Sequence, residues 1–419
     1  MMVNKTQNSE TEYIDDAMEL AYRKDFPALY APQKLSYLDT ASSAQKPASV
    51  IAAMNDVLHH HYANIHRGLY SNSQITTEKF EAVRGKVARF INAPSENEIV
   101  FTRNTTEAIN LVVQSWARDN LEAGDEVILS EMEHHANIVP WHFLRDEIGI
   151  VLKVIPLLDD GTLNMTAYER LFTPQTKMVS CIYISNALGT INPIKEMIAY
   201  AKDFYPEIKV LVDGTQAVVH QKVDVQDLGC DFFTFTGHKL YGPSGVGVLW
   251  GRYDILNQMR PYQGGGDMIE TVDFDRVTFK PPPSKFEAGT PAIVEVIGLG
   301  AAIDYINDIG LDVIKAHENA LYRYMKEQMD AIEGIRLFGD HDNKIALASF
   351  LCEWGHASDV AMILDQCGVA VRTGHHCCQP IMKRYGVDAT IRASIGLYTN
   401  KADIDLLIEG LKKAKDMLA

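Results

Sequence analysis

Asp231-Phe-Phe-Thr-Phe-Thr-Gly-His-Lys-Leu240, followed by Tyr-Gly-Pro-Ser-Gly-Val-Gly-Val-Leu-Trp-Gly251, is the segment around which the rest of the chain is organised. Its apolar run predicts a buried strand that ends at Thr236-Gly237 and places Lys239 where the chain leaves the sheet. Burial of that lysine would leave a neutral amine able to form a Schiff base. Taken alone, however, the stretch favours a lysine at the start of a solvated loop, so the rest of the chain must decide.

Composition indicates a globular chain. The 419 residues are 47% hydrophobic and carry a formal net charge of −16, which predicts large cores, two domains and a main partner other than nucleic acid or an anionic membrane. Nothing near the start resembles a signal peptide and no apolar run is long enough to span a bilayer, so we expect a cytoplasmic protein. Six cysteines are too sparse for a disulfide framework, and reduced thiols are expected.

The segment before residue 98 has few diagnostic features. Apolar spacing over Ile14–Tyr22 predicts a peripheral helix, and Leu35–Pro47 predicts a short strand, a polar turn and a helix that begins near Pro47. A metal site at His59-His60-His61 is disfavoured, because consecutive helical residues point in different directions and no second ligand cluster has a suitable spacing.

Alternating strands and helices begin at Glu98. The apolar segments that predict strands are Ile99–Thr102, Glu126–Ser130, Val151–Pro156, Met178–Ser185, Lys209–Asp213, Phe232–Phe235 and Gly245–Trp250. Short apolar strands without polar alternation, mostly joined by helices, are typical of a largely parallel sheet covered on both faces. The sequence therefore predicts an α/β fold whose ligands bind at the carboxyl ends of the strands.

Polar side chains at successive strand ends match the needs of one cofactor, pyridoxal 5'-phosphate (PLP). Hydroxyls at a helix start suit a phosphate, an imidazole offers an aromatic ring, a carboxylate keeps a pyridine nitrogen protonated, and a lysine amine condenses with an aldehyde. The polar residues at these strand ends are Thr105, Thr106, Glu133, His134, His135, Asn186, Asp213, Gln216, Thr236, His238 and Lys239. Each has an ordinary explanation by itself, such as a helix N-cap, but their joint occurrence favours PLP.

Several strings also carry a resemblance to a known family. They are Tyr-Leu-Asp-Thr-Ala-Ser-Ser-Ala-Gln-Lys-Pro, Glu-Met-Glu-His-His-Ala-Asn-Ile-Val-Pro-Trp, Val-Asp-Gly-Thr-Gln-Ala, Thr-Gly-His-Lys-Leu-Tyr-Gly-Pro, Phe-Glu-Ala-Gly-Thr-Pro and Arg-Thr-Gly-His-His-Cys. Together they resemble the SufS-type (group II NifS-like) cysteine desulfurases, which are class V, fold-type I PLP-dependent transferases. The match runs from about Tyr37 to the C-terminus.

The resemblance implies a role for each matching residue. Lys239 is implied to bind PLP covalently, Asp213 to pair with the pyridinium nitrogen and His134 to stack on the ring. The other implied cofactor contacts are Asn186 and Gln216 at the PLP hydroxyl, Thr105, Thr106, Thr236 and His238 at the phosphate, and Thr290 at the phosphate across the interface of a homodimer.

The pattern changes to α+β beyond Pro291. Helical patterns over 292–306 and 311–332 precede strand-like segments at 335–338, 345–351, 369–372 and 390–395 and a C-terminal helix. We therefore expect a large PLP-binding domain over 37–297, a smaller α+β domain over 298–419, and an N-terminal segment, 1–36, that packs on the small domain.

Val371-Arg-Thr-Gly-His-His-Cys-Cys-Gln-Pro380 is the chemical centre of the predicted small domain. Two histidines and Arg372 provide surroundings that lower a thiol pKa and favour a reactive thiolate. A buried inert thiol, a strained vicinal disulfide and a metal cluster are the alternatives, although adjacent residues rarely ligate one ion. The resemblance implies Cys377 as the sulfur acceptor. Because Cys378 stands where the family has alanine, either thiol, or both, remains a candidate.

Arg372 and Arg392 are candidates for substrate binding. Guanidinium groups bind carboxylates bidentately, and an amino-acid substrate needs such a clamp for its orientation. The resemblance implies Arg392 as the principal carboxylate ligand, with Arg372 and Asn186 beside it. A surface ion pair is the ordinary alternative for an arginine in a strand.

The implied reaction converts L-cysteine to L-alanine. Lys239 removes the α-proton, His134 assists proton transfer, and the Cys377 thiolate attacks the substrate sulfur and becomes a persulfide. A SufE- or SufU-type protein would accept the sulfur for iron–sulfur cluster assembly, with no metal in the enzyme itself. The alternatives are a selenocysteine lyase acting on L-selenocysteine, a cysteine sulfinate desulfinase, an aminotransferase that does not need Cys377 and, in a different class, a sulfur- or metal-binding assembly protein.

Overall fold

A mixed sheet of seven strands lies at the centre of the part of the chain that the computed structural model describes, residues 22–30 and 35–419. In spatial order its strands are Ile99–Thr102, Gly247–Gly251, Phe232–Thr236, Lys209–Asp213, Thr176–Ile182, Glu126–Ser130 and Val151–Ile155. Within this sheet Gly247–Gly251 runs antiparallel to its two neighbours, and the other pairs are parallel. The predicted mostly parallel α/β sheet is confirmed.

Burial explains why these strands lack polar alternation. Every residue of Glu126–Ser130 and Phe232–Thr236 is buried, because helices cover both faces of the sheet. Val151–Ile155 is different, since it forms an edge with Val151 and Val154 exposed. An apolar run therefore predicted the edge strand correctly without revealing its position in the sheet.

Helices surround the large sheet and connect its strands. They span Ala48–Asp56, Ser71–Phe90, Thr105–Val112, Val139–Ile148, Met165–Leu171, Ile194–Phe204, Ala217–His220, Val225–Leu228, Tyr253–Gln258 and Ile293–Ile309. Within residues 22–30 and 35–419, no helix is both long and apolar enough to cross a bilayer.

A second sheet, of four antiparallel strands, lies in the C-terminal part of the described chain. Its strands are, in spatial order, Ile335–Phe338, Leu347–Cys352, Thr390–Ser394 and Arg372–Gly374. The accompanying helices are Leu311–Asp330, Ala357–Gln366, Gln379–Tyr385 and Lys401–Leu418. The strand predicted over 369–372 is two strands, because Val369–Ala370 pairs with Ser36–Tyr37 in a separate two-stranded sheet.

The predicted division into 1–36, 37–297 and 298–419 stays a prediction. Gly298 lies within the continuous helix Ile293–Ile309, which packs against Ala48–Asp56 and Ser71–Phe90. In the described part of the N-terminal segment, Arg23 donates to Asp403 at 2.7 Å. The helix predicted over Ile14–Tyr22 lies outside the described residues except for Tyr22.

Candidate active site

A cavity of about 280 Å³ lies at the carboxyl edge of the large sheet, where the loop carrying Cys377 meets the strand ends. The predicted site residues that line it are Thr105, Thr106, His134, Asn186, Asp213, Gln216, Thr236, His238, Lys239, Arg372, Cys377 and Arg392. Thr290 lines a different cavity, together with Arg103, Tyr262 and Gln263. The structure thus brings the predicted residues of one chain together, apart from the one that was expected to act across a dimer interface.

Lys239 ends a short 3-10 turn, Gly237–Lys239, that directly follows the strand Phe232–Thr236. The turn is held through the carbonyl of His238, which accepts hydrogen bonds from Ala44 N at 3.0 Å and Lys46 Nζ at 3.0 Å. Lys239 lines the cavity and does not lie at the start of a solvated loop. Burial, followed by the charge of Arg392, lowers the pKa of Lys239 to about 8, which favours a neutral, nucleophilic amine.

Asp213 ends the strand Lys209–Asp213 and is 3% exposed. Its Oδ1 accepts a hydrogen bond from Thr215 N at 3.0 Å, and burial raises the pKa of its carboxyl group. A buried carboxylate is costly unless it is paired. A cationic group in the cavity beside Asp213 would therefore favour its ionised form.

His134 is a neutral imidazole in this site. Its Nδ1 accepts a hydrogen bond from Ala136 N at 3.0 Å, so the ring proton lies on Nε2. Burial, then the charge of Lys239, lowers the pKa of His134 to about 3. A neutral ring that lines the cavity suits stacking on an aromatic cofactor.

The helix Thr105–Val112 begins at the cavity. Asn104 caps it by accepting from Glu107 N at 2.9 Å, and the hydroxyl groups of Thr105 and Thr215 lie 2.8 Å apart. Gly247 permits this arrangement, because a Cβ atom there would lie 2.5 Å from Asn104 Cα. Hydroxyl groups at a helix N-terminus form an anion site, and this is the end of the cavity suited to a phosphate.

Arg392 and Arg372 are register partners on adjacent strands, and Asp39 lies near both. Arg392, 2% exposed, donates to Asp39 Oδ1 at 3.1 Å and to Asn186 O at 2.7 Å. Arg372 donates to Ser42 and lies 3.7 Å from Asp39 Oδ2. Among the described residues, Arg392 Nε has no hydrogen-bond partner. The buried guanidinium therefore retains donor capacity for a ligand carboxylate.

The Cys377 loop connects the strand Arg372–Gly374 to the helix Gln379–Tyr385. Cys377 is half-buried and lines the cavity. Asn186 Nδ2 donates to His376 O at 2.8 Å, and Asn186 Oδ1 accepts from Cys378 Sγ at 3.2 Å. Both ends of the Asn186 amide therefore contact this loop, a role that the sequence did not predict.

Cys378 differs from Cys377 in its environment. It is 0% exposed, and burial raises the pKa of its thiol to about 12, which keeps it protonated and unreactive. All six cysteines lie in the described residues and are free, so the vicinal disulfide is absent from this structure. Across residues 22–30 and 35–419, no group of three or more His, Cys, Asp or Glu side chains is arranged to hold a metal ion.

The sequence assigned no role to two residues that support the site rather than supply its reactive groups. Asp39 is one, and Glu133 is another. The fully buried carboxylate of Glu133 accepts from Asn137 Nδ2 at 2.7 Å and from Ile182 N at 3.0 Å, thereby fixing the loop that presents His134. Burial raises the pKa of Glu133 to about 7. Both carboxylates lie within the strings that carried the family resemblance, which was the available signal.

The residues of the cavity fit PLP. Lys239 supplies an amine, Asp213 a buried carboxylate, and His134 a neutral ring. The start of the helix at Thr105 supplies an anion site for the phosphate. These groups meet the chemical demands of the cofactor.

Comparisons with known proteins give the family. The family model described as aminotransferase class V matches residues 36–407. Proteins described as cysteine desulfurases are 48% identical in Dickeya dadantii (strain 3937) and 47% identical in Serratia proteamaculans (strain 568), each over 400 residues. These matches cover 94% of this chain and 96% and 98% of the respective relatives. This chain belongs to the class V aminotransferase family, among the cysteine desulfurases.

Solved structures of the family agree with this assignment. The cysteine desulfurase CsdA from Escherichia coli, in its S-sulfonic acid form, superposes with a TM-score of 0.90 at 36% identity, covering 96% of this chain and 99% of that one. The apo cysteine desulfurase from Thermococcus onnurineus NA1 gives 0.89 at 35% identity, with coverages of 95% and 98%. Class V aminotransferases are fold-type I PLP enzymes, so the predicted fold, cofactor and enzyme class are confirmed.

Proposed function

We propose that this protein is a SufS-type, group II cysteine desulfurase that converts L-cysteine to L-alanine and carries the removed sulfur as a persulfide on Cys377. The observation that carries the proposal is one cavity lined by Lys239, Asp213, Arg392 and Cys377. An amine, a buried carboxylate, a guanidinium and a thiol in one site are what desulfuration of an amino acid requires.

Arg392 would bind the substrate carboxylate through its remaining N–H groups, with Arg372 beside it. Lys239 Nζ would take the α-proton, since its lowered pKa gives it a neutral fraction near neutral pH. Bound PLP supplies an electron sink for the resulting carbanion. Neutral His134 would stack on the cofactor and assist proton transfer through Nε2.

The sulfur step needs the thiolate of Cys377. Its Sγ would attack the substrate sulfur, forming an S–S bond while the Cβ–S bond breaks. The electron pair of the broken bond stays on the carbon skeleton, which takes up protons to become alanine. Cys377 is left as a persulfide, and a thiol of an acceptor protein or of a reductant then takes the terminal sulfur.

Replacement of Cys378 by alanine tests which thiol reacts. We expect Cys378→Ala to retain alanine release within about threefold, because a buried, protonated thiol contributes packing rather than a nucleophile. A modest fall in the thermal unfolding midpoint is the expected cost of the lost packing. An inactive variant that still binds PLP would assign the sulfur chemistry to Cys378 instead.

Replacement of Arg392 by lysine tests the carboxylate clamp. An ammonium cannot reproduce a bidentate fork, and a charge-assisted hydrogen bond is worth about 1.5–3 kcal/mol, so we expect KM for L-cysteine to rise about 10- to 100-fold. Steady-state kinetics should show a smaller change in kcat. Arg323→Lys, at an exposed helical position, is the matched control. Equal KM values for Arg392→Lys and the control would refute the clamp.

We also propose a cytoplasmic homodimer that passes sulfur to a SufE- or SufU-type acceptor for iron–sulfur cluster assembly. Thr290 would then reach the cofactor phosphate of the other subunit, which accords with its place in a separate cavity. Leu69, Tyr70 and Phe274 have exposed apolar side chains that a second copy would cover. Sedimentation of the holoenzyme and of Thr290→Ala, with PLP affinity measured for each, tests this arrangement.

Turnover of three substrates tests the proposed activity. Purified holoenzyme is incubated with L-cysteine, L-selenocysteine or L-cysteine sulfinate in the presence of a thiol reductant, and alanine is quantified. The proposal expects alanine from L-cysteine that disappears in Cys377→Ser. Release of alanine from the sulfinate alone, or from L-cysteine independently of Cys377, would replace the desulfurase proposal with a desulfinase or another lyase.

A further inference from the structure

His135 contacts the Cys377 loop at two points. Its backbone N–H donates to Cys377 O at 2.8 Å, and its ring Nε2 accepts from Gln379 N at 3.0 Å. The two bonds are therefore made to the peptide groups on either side of Cys378. His135 itself belongs to the segment after the strand Glu126–Ser130, so these bonds tie the thiol-bearing loop to the edge of the large sheet.

The loop needs such ties because its backbone is strained. His376 and Cys377 have φ values of 51° and 57°, in the left-handed region that residues with a Cβ atom disfavour. Two consecutive residues adopt this conformation only where the surroundings hold them there. Thr390 contacts the His376 ring at 2.8 Å, and Asn186 contacts His376 O at 2.8 Å and Cys378 Sγ at 3.2 Å. His135 binds backbone groups of Cys377 and of Gln379.

The hydrogen bond to Gln379 specifies the protonation state of His135. A backbone N–H can only donate, so Nε2 must be unprotonated and the ring neutral. Burial, then the charge of His375, lowers the pKa of His135, which is consistent with that state. Among the described residues, the titratable groups that face this ring are His375 and His134, with ring centroids at 5.6 Å and 6.4 Å, and Cys377 beside the backbone bond.

We propose that His135 is a positioning residue whose neutral ring keeps the Cys377 loop in the conformation that accepts sulfur. Protonation of His135 breaks its hydrogen bond to the loop, so the loop is no longer kept in that conformation. The proposal rests on the proposed role of Cys377 as sulfur acceptor. His135 does not touch the reacting atoms through its side chain. It sets the position of the nucleophile, so the step it affects is attack on the substrate sulfur rather than binding of the cofactor.

Two substitutions separate this role from general structural support. His135→Ala removes the acceptor, whereas His135→Gln places an amide oxygen near the position of Nε2 and does not titrate. We expect His135→Ala to bind PLP and L-cysteine normally but to lower kcat about tenfold or more, because a misplacement of ~1 Å can cost up to ~10²-fold in rate. His135→Gln should restore kcat to within about threefold of the parent enzyme at pH 8.

The pH profile supplies a second readout. Below its pKa, His135 gains a proton on Nε2 and loses the bond to Gln379, so turnover of the parent enzyme should fall with acid. His135→Gln lacks that titration, and its kcat relative to the parent should therefore rise as the pH decreases below the ordinary histidine pKa of about 6.5. If the ratio of kcat for His135→Gln to kcat for the parent stays constant between pH 5 and pH 8, the proposed effect of His135 protonation is wrong.

Hydrogen exchange reports on the hydrogen bond between Gln379 N–H and His135 Nε2. In holoenzyme, the peptide that contains the Gln379 amide should exchange faster in His135→Ala than in the parent or in His135→Gln. Equal exchange and equal kcat in all three proteins would overturn the proposal. Alanine release by the parent and by Cys377→Ser is measured in the same experiment. A parent that makes no alanine, or a fully active Cys377→Ser, would show that the proposed function, rather than the role of His135, is wrong.

Discussion

Replacing Lys239 by alanine is expected to remove the amine that we propose as both the covalent attachment point of PLP and the catalytic base. The amine at the end of Gly237–Lys239 faces the cavity with its pKa lowered to about 8. Loss of a group that acts as nucleophile and base should lower alanine release by at least about 10³-fold. Treatment with borohydride, which reduces the linkage, should fix PLP covalently to the parent enzyme at Lys239 and leave the variant unlabelled.

Lys412→Ala is the matched control, because Lys412 is exposed on the C-terminal helix and does not line the cavity. It should keep the visible absorption of bound PLP, the borohydride label and the turnover. Covalent PLP in Lys239→Ala at the level of the parent would show that another amine binds the cofactor. The phosphate contacts that we expect at Thr105 and Thr106 should still let the variant bind PLP reversibly.

Replacing Cys377 by serine should separate sulfur transfer from every earlier step. A hydroxyl group is a far weaker nucleophile than a thiolate at neutral pH, so we expect alanine release to fall by at least about 10³-fold. Cofactor binding should persist, because Cys377 is not among the groups that suit the phosphate, the ring or the ring nitrogen. A change in PLP absorption on addition of L-cysteine should therefore remain in the variant.

Cys367→Ser is the control for this substitution, since Cys367 is also half-buried and free but does not line the cavity. It should turn over like the parent enzyme. Undiminished alanine release by Cys377→Ser would refute the assigned role, whereas loss of both turnover and PLP absorption would point to a structural defect rather than to missing chemistry.

The buried strands were predictable because each carries its own local signal. Lys209–Asp213 was predicted to the residue, since an apolar run ends there in a carboxylate. The first residues of the strand Thr176–Ile182 were not predicted, because Thr176 is polar. Its buried hydroxyl group donates a hydrogen bond to Glu126, which lies fifty positions away in the sequence. The strand predicted over 369–372 is likewise divided into Val369–Ala370 and Arg372–Gly374 because each part pairs with a different distant strand, which local sequence does not show.

The same distinction holds in the site. Residues at strand ends, such as Asp213 and Lys239, were predictable because parallel strands bring their ends to one edge. Asp39, Glu133 and His135 act through contacts across the fold, and no periodicity or spacing reveals such contacts. The choice between Cys377 and Cys378 also needed burial, which two adjacent thiols in a sequence do not disclose.

Mass spectrometry of the enzyme after a single turnover shows directly whether Cys377 accepts the substrate sulfur. Holoenzyme is mixed with L-cysteine without reductant, alkylated and digested, and the peptide spanning Cys377 and Cys378 is fragmented, with Cys378→Ala in parallel to assign the position. We expect one additional sulfur atom on Cys377, together with one alanine per active site. Additional sulfur on Cys378, or alanine formed with no sulfur on either thiol, would contradict that expectation.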